Sequence, residues 1–189
     1  MSSAWRWCLP RDKHKIFKMT RNGKLVTLRQ PKAEDRDPFL AKVHQSTRLH
    51  HPWVSPPGTP EAFARYLSRC QAEDFVGLFV CTRKASELAG VINISEIVRG
   101  VFQSAYLGFY ALSPLQGKGY MREGLQLTLE YCFQDLELHR LEANIQPENE
   151  RSKRLVESCG FRQEGYSPKY LKIDGQWRDH ERWAILAEE

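Results

Sequence analysis

No stretch of the sequence approaches the roughly 18 consecutive apolar residues of a membrane span. The opening segment, MSSAWRWCLPRDKHK, is polar and basic and has no apolar core of the secretory kind. Both absences lead to the expectation of a soluble, cytoplasmic protein with no membrane partner. Cysteine is sparse: Cys8, Cys70, Cys81, Cys132 and Cys159 are an odd number with no CxxC spacing. They read as reduced side chains in apolar surroundings. Metal-ligand spacing is missing as well, since His50 and His51 are adjacent and His139 and His180 stand alone; no metal is implied. There is neither an internal repeat nor a low-complexity linker. A chain of 189 residues is enough for one domain with a full core and short for two.

What the chain does have is a net charge of +5, which suits an anionic partner: nucleic acid, a ribosome surface or a phosphorylated cofactor. Basic residues are mildly concentrated near the start, at Arg6, Arg11, Lys13, Lys15, Lys18, Arg21, Lys24, Arg29, Lys32 and Arg36. Residues 1–20 are therefore read as a polar, basic extension and 21–189 as the folded domain.

Along that domain the hydrophobic period changes several times. Lys24 to Arg29 alternates as a strand, and an acidic helix start follows near Ala33. Residues 50 to 60, HHPWVSPPGTP, hold four prolines and must be a loop. Thr59-Pro60-Glu61 then has the form of an N-cap, a first-turn proline and an acidic first turn. Phe75 to Thr82, Leu88 to Val98 and Gln103 to Leu112 read as an antiparallel meander. A helix from Met121, a strand from His139 to Gln146 and a helix from Asn149 to Gly160 follow. Two strands about an Asp174-Gly175 turn close the chain. The expectation is a mixed α/β (α+β type) single domain: a largely antiparallel sheet of about seven strands flanked by about four helices.

The most informative segment, LSPLQGKGYMRE from Leu112 to Glu123, lies at a strand-to-helix junction. Gly117 and Gly119 let main-chain N–H groups close around phosphate oxygens at a helix N-terminus, and Lys118 adds a cation. It is not a P-loop, because Gly119 rather than Ser or Thr follows Lys118, and it lies too late in the chain for a dinucleotide fingerprint.

QGKGYM, preceded by YLGFYAL and followed by PENERSKRLVESCGF, resembles the GNAT superfamily of N-acetyltransferases. NISEIVRG, GFRQEGY and LKIDGQWRDHERWAIL resemble more narrowly the ribosomal-protein-alanine N-acetyltransferases within it. The resemblance implies a GNAT-like sheet splayed in the middle. It also implies acetyl-CoA as co-substrate, its pyrophosphate held by Gln116, Gly117, Lys118, Gly119, Tyr120 and Met121. Met121 stands where the broad superfamily usually has Gly or Ala. Tyr110 and Ala111 are the implied main-chain partners of the pantetheine arm, with the oxyanion met near Tyr110. Ser152 is the implied proton donor to the departing thiolate and Asn149 a hydrogen-bond partner of the arm; Asn149 also reads as an ordinary N-cap.

Related enzymes often carry an acidic residue where this chain has Tyr106, so Glu96 is left as the candidate base. His51, Trp53, Tyr106 and Tyr170, with Trp177 and Arg178 of the closing hairpin, are the implied walls for the acceptor. That acceptor is expected to be the α-amine of a protein, including a ribosomal protein, attacking directly in a ternary complex. Two rivals remain: a polyamine or aminoglycoside acceptor with the same chemistry, and an acetyl-CoA-binding factor associated with the ribosome or RNA.

Overall fold

The computed structural model describes residues 19–187. Most of the basic extension and Cys8 lie outside the described residues. The strands are β1 (Thr20–Asn22), β2 (Val26–Arg29), β3 (Val76–Thr82), β4 (Leu88–Val98), β5 (Ser104–Ala111), β6 (Arg140–Ile145), β7 (Arg162–Ile173) and β8 (Gln176–Leu186). They form one sheet in the order β1-β2-β3-β4-β5-β6-β8-β7. Every neighbouring pair is antiparallel except β5 and β6, which run parallel. The helices are α1 (Arg36–Gln45), α2 (Thr47–His50), α3 (Pro60–Arg69), α4 (Tyr120–Glu130) and α5 (Glu150–Glu157). A π turn over Tyr131–Asp135 extends α4. None of these helices is long and apolar enough to cross a membrane.

Among the described residues, eight strands and five helices stand where the sequence pattern gave about seven and four. The extra strand, β1, is too short to show a period. It is held by its pairing with β2 and by Arg21, which forms ion pairs with Asp135 and Glu130. The extra helix, α2, is a single turn that carries His50 out of the expected loop.

Alternation along the strands divides the core in two. Leu78, Val80, Ile92, Ile94 and Leu141 pack with Leu125 and Leu129 of α4 and Val156 of α5. Phe79, Val91, Tyr110 and Leu112 pack on the opposite face with Phe39 of α1 and Phe63 of α3. The Phe39 and Phe79 rings stack at 5.5 Å. Thr59 caps α3 through the Ala62 N–H, with Pro60 in the first turn, as its sequence indicates. The carboxylate of Glu123 in α4 accepts the N–H groups of Lys24, Leu25 and Val26 at 2.7–2.8 Å. This fixes the N-terminal end of α4 against the β1–β2 turn.

Candidate active site

The site begins where the sheet comes apart. β5 and β6 pair only from Ser104 opposite Arg140 to Tyr106 opposite Glu142, although β5 continues to Ala111 and β6 to Ile145. The Gln103 carbonyl accepts from the N–H groups of His139 and Arg140 at 2.7 and 3.1 Å, and the Leu112 N–H donates to the Ala89 carbonyl at 2.8 Å. Main-chain groups alternate sides along a strand. Odd-numbered residues of β5 therefore face β6, and even-numbered ones face β4. Beyond Tyr106, the odd-numbered residues on the side of the opening are Leu107, Phe109 and Ala111, of which Phe109 and Ala111 line the cleft. The main chain of Tyr110 lies opposite Val91 of β4, so the neighbouring edge turned toward the opening is that of Phe109. An unpaired strand edge of this kind accepts an extended partner as an added strand.

A cleft of about 850 Å³ occupies the opening, within the range usual for small-molecule sites. Gln116, Gly117, Gly119, Tyr120 and Met121 line one end of it. Gly117 and Gly119 have φ of +77° and +81°, left-handed values that cost a side chain about 1–2 kcal/mol. Gly119 is also the N-cap of α4 and supplies no side-chain cap, so the first N–H groups of the helix remain free for an anion. Arg48, Arg122, Arg151 and Arg154 border the same cleft. Lys118 is exposed and does not line it. Met121 is accommodated by Gly90 of β4, where an added Cβ would meet the Met121 sulfur at 2.1 Å. The departure at Met121 is thus matched by a glycine on the strand beneath.

Asn149 and Ser152 line the facing wall. Asn149 is the N-cap of α5, its Oδ1 accepting the Ser152 N–H at 3.2 Å. The capping role and a place in the cleft coexist, because the Asn149 amide nitrogen and the Ser152 hydroxyl are not used by the cap.

Of the two adjacent histidines, the one at the cleft is His50. It is buried, lines the cleft and bonds through Nε2 to the Ala111 carbonyl at 2.9 Å. A carbonyl only accepts, so Nε2 carries the proton and Nδ1 holds a lone pair. Burial pushes the His50 pKa down against the opposing pull of that hydrogen bond. The ring meets Tyr110 edge-on at 5.1 Å, and burial raises the Tyr110 phenol.

The acceptor side is assembled from distant segments. Trp53 lines the cleft, and the Pro52 and Trp53 carbonyls accept from Gln146 Nε2 at 3.4 and 3.3 Å. Ser55 bonds to Asp174 in the β7–β8 turn, and His51 Nδ1 lies 4.0 Å from the same carboxylate. The α2–α3 loop is therefore strapped to the end of β6 and to the closing hairpin. His51 is exposed and lies outside the cleft lining. Tyr106 and Tyr170 are also outside it, yet meet each other: the Tyr106 phenol is held above its ordinary value chiefly by donating a hydrogen bond to Tyr170. Glu96 lies apart, with a 65% exposed side chain 3.7 Å from Arg69, and the cleft lining does not include it. His50, Phe109 and the four arginines line the cleft without having been singled out from the sequence. Counting alternation in β5 back from a fixed pairing is the signal that would have found Phe109.

The family described as "Acetyltransferase (GNAT) domain" matches residues 26–162. The Escherichia coli protein named [Ribosomal protein uS5]-alanine N-acetyltransferase is 45% identical over 106 residues, 56% of this chain and 54% of that protein. The match thus spans about half the length of that relative. A spermidine N(1)-acetyltransferase of Vibrio cholerae is 32% identical over 57% of this chain and 62% of its own length. Among solved structures, Mycobacterium smegmatis RimJ in complex with CoA-disulfide superposes with a TM-score of 0.82 at 28% identity, covering 90% of this chain and 88% of that one.

Proposed function

Because the chain belongs to the GNAT acetyltransferase family, we propose that it transfers acetyl from acetyl-CoA to the α-amine of a protein N-terminus, a ribosomal protein among the candidates, by direct attack in a ternary complex. The observation that carries the coenzyme part is the cradle: uncapped N–H groups at the start of α4 beside two left-handed glycines. It opens into a split sheet with the Phe109 edge unpaired and the Ala111 carbonyl held by His50. These residues fit a diphosphate followed by an extended amide-bearing arm.

Acetyl-CoA supplies the activated acyl group. The chain supplies position, charge complementarity and protons. The first turn of α4 and the surrounding arginines hold the diphosphate. The free N–H of Phe109 is placed to donate to an oxygen that gains charge in the opening. The Ser152 hydroxyl donates the proton that a departing thiolate needs, while Asn149 holds the first turn of α5 and offers its amide to the arm. An α-amine has a reference pKa of about 7.7–8.0, so it loses its proton cheaply near neutrality, and water suffices as the relay without a carboxylate at Glu96.

The N-terminal acceptor is supported by the likeness to the uS5-alanine enzyme. It is also supported by the strapped loop about Trp53, which suits a chain end entering end-on. The likeness to a spermidine enzyme makes a polyamine the rival acceptor. The full chain, acetyl-CoA and either alanine-led peptides or spermidine decide between them by mass spectrometry and thiol release. The proposal expects one acetyl group on the peptide α-amine; turnover of spermidine with none of any peptide contradicts it.

A further inference from the structure

Among the described residues, four buried side-chain atoms have no hydrogen-bond partner in the chain: His50 Nδ1, Tyr110 OH, Asn144 Oδ1 and Arg178 Nε. Native chains satisfy such atoms almost everywhere, and exceptions gather where a ligand completes them. His50 and Tyr110 line the cleft; Asn144 and Arg178 lie outside its lining, on β6, which borders the split, and on β8, the strand next to it. His50 and Tyr110 are on the α2–β5 side, where the Ala111 carbonyl is already occupied. Asn144 and Arg178 are on the β6–β8 side, to which the coenzyme cradle gives no role.

On β6, Leu141, Ala143 and Ile145 face the core under α4 and α5. Glu142 and Asn144 therefore turn to the opposite face, which Tyr106 shares across the last paired rung. Continuing the β5–β6 register past that rung places Asn144 level with Gly108, beside the Phe109 N–H and across the opening from it. Arg182 is directly opposite Asn144 on β8. Arg178 lies four residues along the same strand and on the same face, about 13 Å away at the strand's rise. A guanidinium side chain directed along the strand spans part of that gap. The orphan at Asn144 is an acceptor and the orphan at Arg178 is a donor.

We propose that this pair reads the acceptor: Asn144 Oδ1 takes an N–H of the entering α-amine, and Arg178 donates to a carbonyl within the first two residues behind it. The inference rests on the N-terminal reading above and sharpens it. A peptide end offers both an amine donor and a carbonyl acceptor, whereas a polyamine offers only cationic donors and leaves Arg178 unpaired and repelled. Asn144 is half-buried, and its terminal torsion is soft, so Oδ1 turns to an arriving donor without movement of the strand. Both residues act on the acceptor alone.

The test uses the full chain at saturating acetyl-CoA with four probes: an alanine-led peptide, alaninamide, the carbonyl-free isopropylamine, and spermidine. kcat/KM is measured for the native protein, Arg178→Gln, Arg178→Lys and Asn144→Ala, with coenzyme A affinity by calorimetry as the check on folding. Arg178→Gln is expected to lower kcat/KM about tenfold for the peptide and alaninamide, the scale of one lost hydrogen bond to a charged group, mostly through KM. Arg178→Lys recovers part of that loss, and isopropylamine is unaffected. Asn144→Ala lowers all the amines together, and coenzyme affinity holds in every variant. Equal losses by Arg178→Gln on amines with and without the carbonyl, or no loss on the peptide, overturn the pair while leaving N-terminal acetylation standing. Native protein that acetylates spermidine and no peptide overturns both.

Discussion

On the coenzyme side of the cleft, the loop from Leu115 to Gly119 and the first turn of α4 present main-chain N–H groups, set by two left-handed glycines and a helix terminus. On the acceptor side, β6, β8 and the α2–α3 loop present side chains from segments as far as 119 residues apart, joined by single contacts such as Ser55 with Asp174. The first side is built from local backbone geometry and tolerates little. The second is a set of replaceable contacts, which is where relatives with one coenzyme can differ in acceptor.

The largest expected effect falls on the first side. Replacing Gly117 and Gly119 together by Val forces two β-branched residues into left-handed backbone at about 1–2 kcal/mol each. Coenzyme A affinity by calorimetry should weaken about a hundredfold with the fold retained. Near-native affinity would show that the loop is only a turn.

Next comes the support beneath it. Gly90→Ala puts a methyl against the Met121 sulfur and should cost about 1–3 kcal/mol of stability by overpacking. Chemical denaturation should show that cost relieved in part in the Gly90→Ala, Met121→Ala double variant, the remainder being the contact of the methyl with the Tyr110 carbonyl oxygen at 2.8 Å. Additive losses would mean that the two residues are not matched.

These two expectations also mark what the sequence could and could not tell. The cradle was legible because its determinants are contiguous: QGKGY fixes turn and helix start within one segment. The order of strands was legible from their periods, except β1, three residues held by pairing and by the ion pairs of Arg21. The acceptor side was not legible, because contacts such as Gln146 with the Pro52 and Trp53 carbonyls depend on packing between remote segments. The histidine pair shows the same limit: His50 is buried at the Ala111 carbonyl and His51 is exposed, a difference set by the single turn of α2. Glu96 was singled out for its chemistry, but its place on β4 beside Arg69 leaves it outside the cleft.

On the acceptor side, smaller effects are expected. Asp174→Ala frees the loop from the closing hairpin by removing exposed contacts worth at most about 1 kcal/mol. KM for a peptide should rise about two- to fivefold, with coenzyme affinity unchanged. A matching change in coenzyme affinity would merge the two sides that are here held distinct.

The smallest effect is a pH dependence at the seam between them. The fold lowers the His50 pKa through burial, so the contribution of neutral His50 is complete above the ordinary imidazole value of about 6.5. It is lost as the pH falls through the lower folded value. The stability advantage over His50→Gln should therefore shrink on acidification from neutrality. An advantage that grows toward acid pH would reverse the assigned state of the ring.

The most direct test of the account is calorimetric titration of the full chain with acetyl-CoA, for the native protein, the Gly117→Val, Gly119→Val double variant and Arg178→Gln. The account predicts that native protein and Arg178→Gln bind alike while the double glycine variant loses the heat of association. Native protein that is folded and takes up no acetyl-CoA would contradict it.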